Sequence, residues 1–259
     1  MLSLAIVILA VSGPVHAEEG ELPAMTAPHE ALQHWLDACR GVSSVRGNVC
    51  IFRYNHTWHK QSRSTGQFGY RSGSHGFIRA VSDEELSDRA YKRYRGTPYS
   101  FEQKPVDHFR WFEDHVLLID EEHQMIVEFP ITLIDADGTL FAGLKSMDHI
   151  YPFLPGILNQ RGIDQFSFKV TRETPNEIYL RATPNPESHF RRNCDSFDLI
   201  LKKDPWRLYA VRCTGIDYET VLVFSDVEFD PPLWDEPDLS GYRSDTSPNK
   251  GENRNAGDE

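Results

Sequence analysis

The chain lacks the short signatures by which catalysts are usually recognised. It contains no H-E-x-x-H, no G-x-S-x-G and no glycine-rich phosphate loop. Its four cysteines, Cys39, Cys50, Cys194 and Cys213, form no C-x-x-C pair, which removes thioredoxin-like redox chemistry. No apolar run reaches the ~20 residues needed to span a bilayer. Positive charge is also scarce. Lys and Arg total 27 against 39 Asp and Glu, a formal net charge of −12. Nucleic acid and anionic membrane surfaces would be repelled by such a field, so neither is expected as a partner. No catalytic residue, metal or cofactor is expected, and the chain is not read as an enzyme.

The first 17 residues are the most informative short segment. Leu2 to Val15 is almost wholly apolar, Gly13-Pro14 breaks the run, and Val15-His16-Ala17 offers small or short residues at a cut site. Acidic Glu18, Glu19 and Glu21 follow. This order of apolar core, breaker and cleavage site predicts a secretory signal over 1–17, although its first residues lack Lys and Arg. No cysteine follows the run, so no lipid anchor is expected. The protein is therefore expected to be periplasmic or otherwise extracytoplasmic, soluble after cleavage, with a linker over 18–27.

An even cysteine count in an exported chain suggests disulfides. Cys194 and Cys213 flank an expected hairpin turn at Lys203-Asp204-Pro205, which sets them nearly opposite each other. Cys39 and Cys50 bracket the step from helix to first strand. The expected pairs are Cys39–Cys50 and Cys194–Cys213; the alternative is four buried thiols.

Residues 28–40 predict a helix. Leu32, Trp35, Leu36 and Cys39 fall on one face, Pro28 suits the first turn and Gly41 stops it. The period then changes to two. Strands are predicted over 46–54, 63–70, 75–81, 107–112, 115–120, 124–129, 163–170, 177–183, 196–202, 206–213 and 217–229. Short alternating strands joined by hairpin turns predict a mainly β fold, an antiparallel meander that must twist, curl or close. Residues 82–95 have a helical composition behind an N-cap-like start. Residues 145–161, with Tyr151-Pro152-Phe153-Leu154-Pro155, read as a short cap over the sheet. The tail 231–259 is acidic and expected to be largely disordered after about Tyr242.

His56 and His59 flank Trp58 at metal-ligand spacing, but no third ligand lies nearby, so a polar turn is the plainer reading. Asp135-Ala136-Asp137-Gly138 begins like a calcium loop and fails at the twelfth position, which is Ser146. A hairpin turn is expected there. Asn55-His56-Thr57 matches a glycosylation sequon. The positive signal is aromatic. Phe52, Tyr54, Phe68, Tyr70, Phe77, Phe109, Trp111, Phe129, Phe166 and Phe168 recur at period two, with Phe153 and Leu154 in the cap. Together they are expected to line an apolar cavity on one face of a curled sheet. Such a cavity holds acyl chains by burial alone, at about 0.8 kcal/mol per CH₂.

Four segments carry a family resemblance. They are His29-Glu30-Ala31-Leu32-Gln33-His34-Trp35 leading to Val45-Arg46-Gly47 and Phe52-Arg53-Tyr54; Phe109-Arg110-Trp111-Phe112-Glu113-Asp114-His115; Tyr151-Pro152-Phe153-Leu154; and Asp204-Pro205-Trp206-Arg207-Leu208-Tyr209-Ala210. In this order the chain resembles the LolA/LolB lipoprotein-carrier superfamily, and more specifically the LolA-like periplasmic domain of planctomycete bacteria. His115 stands where relatives have a turn glycine. Over 28–230 the resemblance implies a half-barrel of about eleven strands, with the N-terminal helix and a short cap over the concave face. It implies a periplasmic protein that binds lipid or lipoprotein acyl chains, with no catalytic residue. The alternative on the same fold is a protein-binding or envelope-stress sensor module. A metal-assisted hydrolase built on His56 and His59 is a distant third. Lipid or a lipidated protein is the expected partner, and a protein partner the second.

Overall fold

In the computed structural model the described residues are 25–40, 42–71, 75–83, 93–94, 96–112, 115–130, 164–192, 194–231 and 238–245. Pro28 opens helix α1 (Pro28–Arg40) as predicted, since its missing N–H would be unpaired in the first turn anyway. The helix buries Ala31, Leu32 and Trp35, the face set by the apolar spacing. Met25–Ala27 are not a free linker. Thr26 donates its N–H and its hydroxyl to the Glu173 carboxylate at 2.6 and 2.8 Å.

The strands follow as β1 (Ser44–Asn55), β2 (Lys60–Arg71), β3 (His75–Ser82), β4 (Arg93–Tyr94), β5 (Thr97–Pro98), β6 (Ser100–Phe101), β7 (Asp107–Trp111), β8 (His115–Asp120), β9 (Met125–Pro130), β10 (Phe166–Glu173), β11 (Glu177–Pro184), β12 (Ser196–Lys203), β13 (Trp206–Thr214), β14 (Tyr218–Phe229) and β15 (Arg243–Asp245). Thirteen of them form one sheet, in the order β10-β11-β12-β13-β14-β1-β2-β3-β7-β8-β9-β15, with β6 against β2. Pairing is antiparallel except β2–β6 and β9–β15. Every predicted strand is present. The helical reading of 82–95 fails where it can be seen. Ser82 is still strand, the Asp83 N–H donates to the Arg63 carbonyl at 2.8 Å, and Arg93–Tyr94 pair with Thr97–Pro98. The tail also contributes to the sheet, because Arg243–Asp245 run parallel to β9. The segments 131–141 and 145–161 lie outside the described residues, as does 1–17.

One face of the sheet packs on α1. Val49 and Ile51 of β1, Phe68 of β2, Ile78 and Ala80 of β3, Leu199 of β12 and Leu222 of β14 join Leu32 and Trp35 in a single core cluster. Alternation then assigns the other residues of each strand to the opposite face. The sheet is curled and not closed. The curl has a direct marker: Arg53 on β1 reaches Asp107 on β7 at 2.9 Å, although two strands lie between them. In a flat sheet those strands would stand about 14 Å apart. No described helix is long and apolar enough to cross a membrane.

Candidate functional site: a cavity at the hairpin end of the concave face

The inner face changes character toward the β1–β2 turn. Val49 faces Gly66 and Phe224, and Ile51 faces Ser64 and Leu222. The next inner position, Arg53, faces Ser62 and Thr220. An apolar surface therefore ends in a row of hydroxyls and a guanidinium. Arg53 donates from both terminal nitrogens to the two Asp107 oxygens, each at 2.9 Å, the paired geometry that suits a guanidinium on a carboxylate. The remaining donor, Arg53 Nε, is buried without a partner, as are Ser62 Oγ and Ser64 Oγ.

A cavity of about 1040 Å³ opens at this end, at the upper limit of ordinary ligand sites. Arg53, Ser62, Asp107, Phe109, Leu118 and Thr220 line it from the concave side. Asp120 and Glu121 are also among its lining residues. The backbone N–H and ring of His123 hold the Asp120 carboxyl below its ordinary value. Hydrogen bonds from Arg79, at 2.6 and 2.8 Å, do the same for Glu121. Burial pushes the Tyr54 phenol up to about 12, so it stays neutral.

The predicted aromatic lining does not form one surface. Phe68, Tyr70, Phe109, Trp111, Phe166 and Phe168 fall on the inner face, while Phe52, Tyr54 and Phe77 fall on the outer one. The reason is register. Period two groups residues within a strand, but only the pairing between strands decides which group faces inward. Phe166 packs edge-on to Phe168 and Phe197, far down the sheet order from the cavity. Phe129 pairs with Val116 through its backbone. Its side chain, Phe153 and Leu154 lie outside the described residues. Of the predicted set, Phe109 lines the cavity from the concave side and Tyr54 borders it from the outer face. Arg53, Asp107, Ser62 and Thr220 were not singled out. The available signal was an arginine in phase with Val49 and Ile51, and serines in phase with Phe68.

His56 and His59 are not paired for a metal. His56 Nδ1 is hydrogen-bonded to the Tyr99 hydroxyl at 2.6 Å, and the His59 ring tilts against the same phenol. Among the described residues no group of three His, Cys, Asp or Glu could hold a metal ion.

The cysteines divide. Cys194 and Cys213, both buried and reduced here, have their sulfurs 2.7 Å apart. They are not cross-strand partners as expected. The hairpin centre lies at Asp204-Pro205, with Lys203 opposite Trp206, and a bulge at Ile200/Leu201 shifts the register further. Cys213 therefore faces Phe197, and Cys194 reaches it from beyond the end of β12. Cys39 and Cys50 do not pair. Cys39 packs on the inner core with α1, whereas Cys50 lies between inward-facing Val49 and Ile51 and so points outward. It accepts a hydrogen bond from Arg63 Nε at 3.2 Å.

No family model matches the chain, and no curated protein does. Solved structures do. A DUF1329 family protein from Desulfovibrio piger is 10% identical, with a TM-score of 0.41 over 81% of this chain and 96% of that one. A LolA superfamily protein from Nitrosomonas europaea is 10% identical, with a TM-score of 0.33 over 85% and 99%. The lipoprotein LppX of Mycobacterium tuberculosis is 10% identical, with a TM-score of 0.35 over 78% and 94%. The chain's structural neighbours include the LolA superfamily.

Proposed function

We propose that this protein is an extracytoplasmic carrier of lipid or lipoprotein acyl chains, a binding protein and not a catalyst. The observation that carries the reading is the cavity on the concave face, where apolar Phe109 and Leu118 meet the hydroxyls of Ser62 and Thr220. An acyl chain needs only apolar walls, and its polar end needs a few fixed hydrogen-bonding groups. Export rests on the signal-like segment 1–17.

The test is direct. The purified protein is extracted with organic solvent, the extract is analysed by mass spectrometry, and a fluorescent acyl probe is titrated into the delipidated protein. Co-purifying lipid or saturable probe binding is expected. Absence of both refutes the carrier role.

A second reading, a protein-binding or sensor module, is favoured by one observation. Much of the concave face is filled by the protein's own side chains, with Leu32 and Trp35 of α1 packed into the cluster of β10–β14. A partner would then bind elsewhere, and the acidic tail is the candidate contact. The Asp235→Asn/Glu236→Gln/Asp238→Asn variant, which removes three acidic charges of the tail and leaves β15 intact, should weaken capture of such a partner.

A further inference from the structure

The cavity wall is acidic. Its lining includes Glu102, Asp107, Asp120, Glu121, Glu122 and Glu219 against Arg53, Lys60 and Lys104, although Glu121 also pairs with Arg79 and Glu219, opposite Tyr54, belongs to the outer face. Two of these cations are each matched by a carboxylate of the lining, which leaves Asp120 and Glu122 against Lys60 on the cavity side. Arg53 is held by Asp107, and Lys104 by Glu102 at 2.8 Å. Little positive charge is left to receive an anion.

From this wall, and resting on the carrier reading, we infer that the cavity takes an amphiphile with a cationic or zwitterionic ammonium head in preference to a fatty-acid anion. Three further features fit such a head. Phe109 and Tyr218 line the same space, and aromatic faces attract ammonium groups. The Ser62 residue is 4% exposed and lines the cavity, and its hydroxyl has no partner. It is an uncharged group able to donate a hydrogen bond to an ester carbonyl of such an amphiphile. The Asp120 and Glu121 carboxyls are held ionised by their hydrogen bonds, so the wall keeps its charge well below neutral pH. A carboxylate head would meet this wall charge against like charge.

The experiment compares two probes with the same 12-carbon tail, dodecyltrimethylammonium and dodecanoate. Both are titrated below their micellar concentrations into the purified protein by calorimetry, at physiological salt. Binding of the ammonium probe at least tenfold tighter is expected. The Asp120→Asn/Glu122→Gln variant should shrink that preference to threefold or less. Glu122→Gln alone, at an exposed turn, supplies a second variant that should shrink it in part. Equal or tighter binding of dodecanoate overturns the inference and leaves the carrier reading standing. A preference unchanged in both variants also overturns it, since the attraction would then come from the general surface charge. Failure of both probes to bind removes the carrier reading and the inference with it.

Discussion

Arg53 and Asp107 join two strands that stand three places apart in the sheet, through a two-pronged ion pair at 2.9 Å whose side chains are each 14% exposed. The pair is a chord across the curl. Removing one partner leaves a nearly buried charge alone, a loss of about 3 kcal/mol. Urea unfolding of Asp107→Ala should show a loss of that size. The Arg53→Ala/Asp107→Ala double variant should lose clearly less than the two single losses added. A single loss below about 1 kcal/mol would mean that the chord does not hold the curl.

The sulfurs of Cys194 and Cys213 are placed for oxidation. Oxidised glutathione should convert the two thiols to one disulfide and be reduced to two glutathione thiols, the protein losing two protons and two electrons. Intact mass spectrometry should find a protein about 2 Da lighter. Cys39 and Cys50 should then still alkylate after unfolding. The loop closed has |i−j| of 19, so the bond should add about 3 kcal/mol of stability. A Cys39–Cys50 bridge in peptide mapping would contradict the placement of these residues on opposite faces.

Glu173 ties β10 to the chain ahead of α1 and to the β12–β13 hairpin. Its hydrogen bonds from Lys203 and then from Thr26 lower its pKa from 4.5 to about 2. A depressed carboxyl contributes stability above its unfolded value and loses it as the folded form protonates. The urea midpoint should therefore fall as pH drops from about 4.5 toward 2. Glu173→Gln should flatten that part of the profile. An unchanged slope in the variant would show that other carboxylates carry the acid sensitivity.

Gly66 has no room for a side chain. A Cβ there would lie 1.9 Å from the Arg79 carbonyl oxygen and 2.5 Å from the Ala80 Cα, both backbone atoms of β3. Gly66→Ala must push β2 and β3 apart, and a loss of about 3 kcal/mol or more is expected. Thermal unfolding measures it. A loss under about 1 kcal/mol would mean the two strands separate easily.

The fold was legible in the sequence because both of its periods were strong. Leu32-Trp35-Leu36 at helical spacing and Phe166-Phe168-Val170 at strand spacing each describe a local surface, and each element formed where the pattern put it. The cavity was far less legible. Whether Phe52 or Arg53 faces inward depends on how β1 registers against β2 and β14, which the β1 residues alone do not state. Large rings also attract notice, whereas the site turned on serines and one arginine in phase with apolar neighbours. The cysteine hairpin shows the same limit at smaller scale. One turn displaced and one bulge moved the cross-strand partner of Cys213 from Cys194 to Phe197, yet the residues just ahead of β12 bring the two sulfurs into contact.

The pairing of β1 with β14 also governs when the molecule can assemble. Cys50 and Val223 sit opposite each other near the middle of the sheet but roughly 170 residues apart in the chain. The sheet's central seam cannot close until its last long strand has been made. Contacts so distant in sequence place the protein among slow folders, on the scale of milliseconds to seconds or beyond. A chain built this way stays threadable through a translocation pore for as long as its C-terminal strands remain behind, and locks only after they arrive.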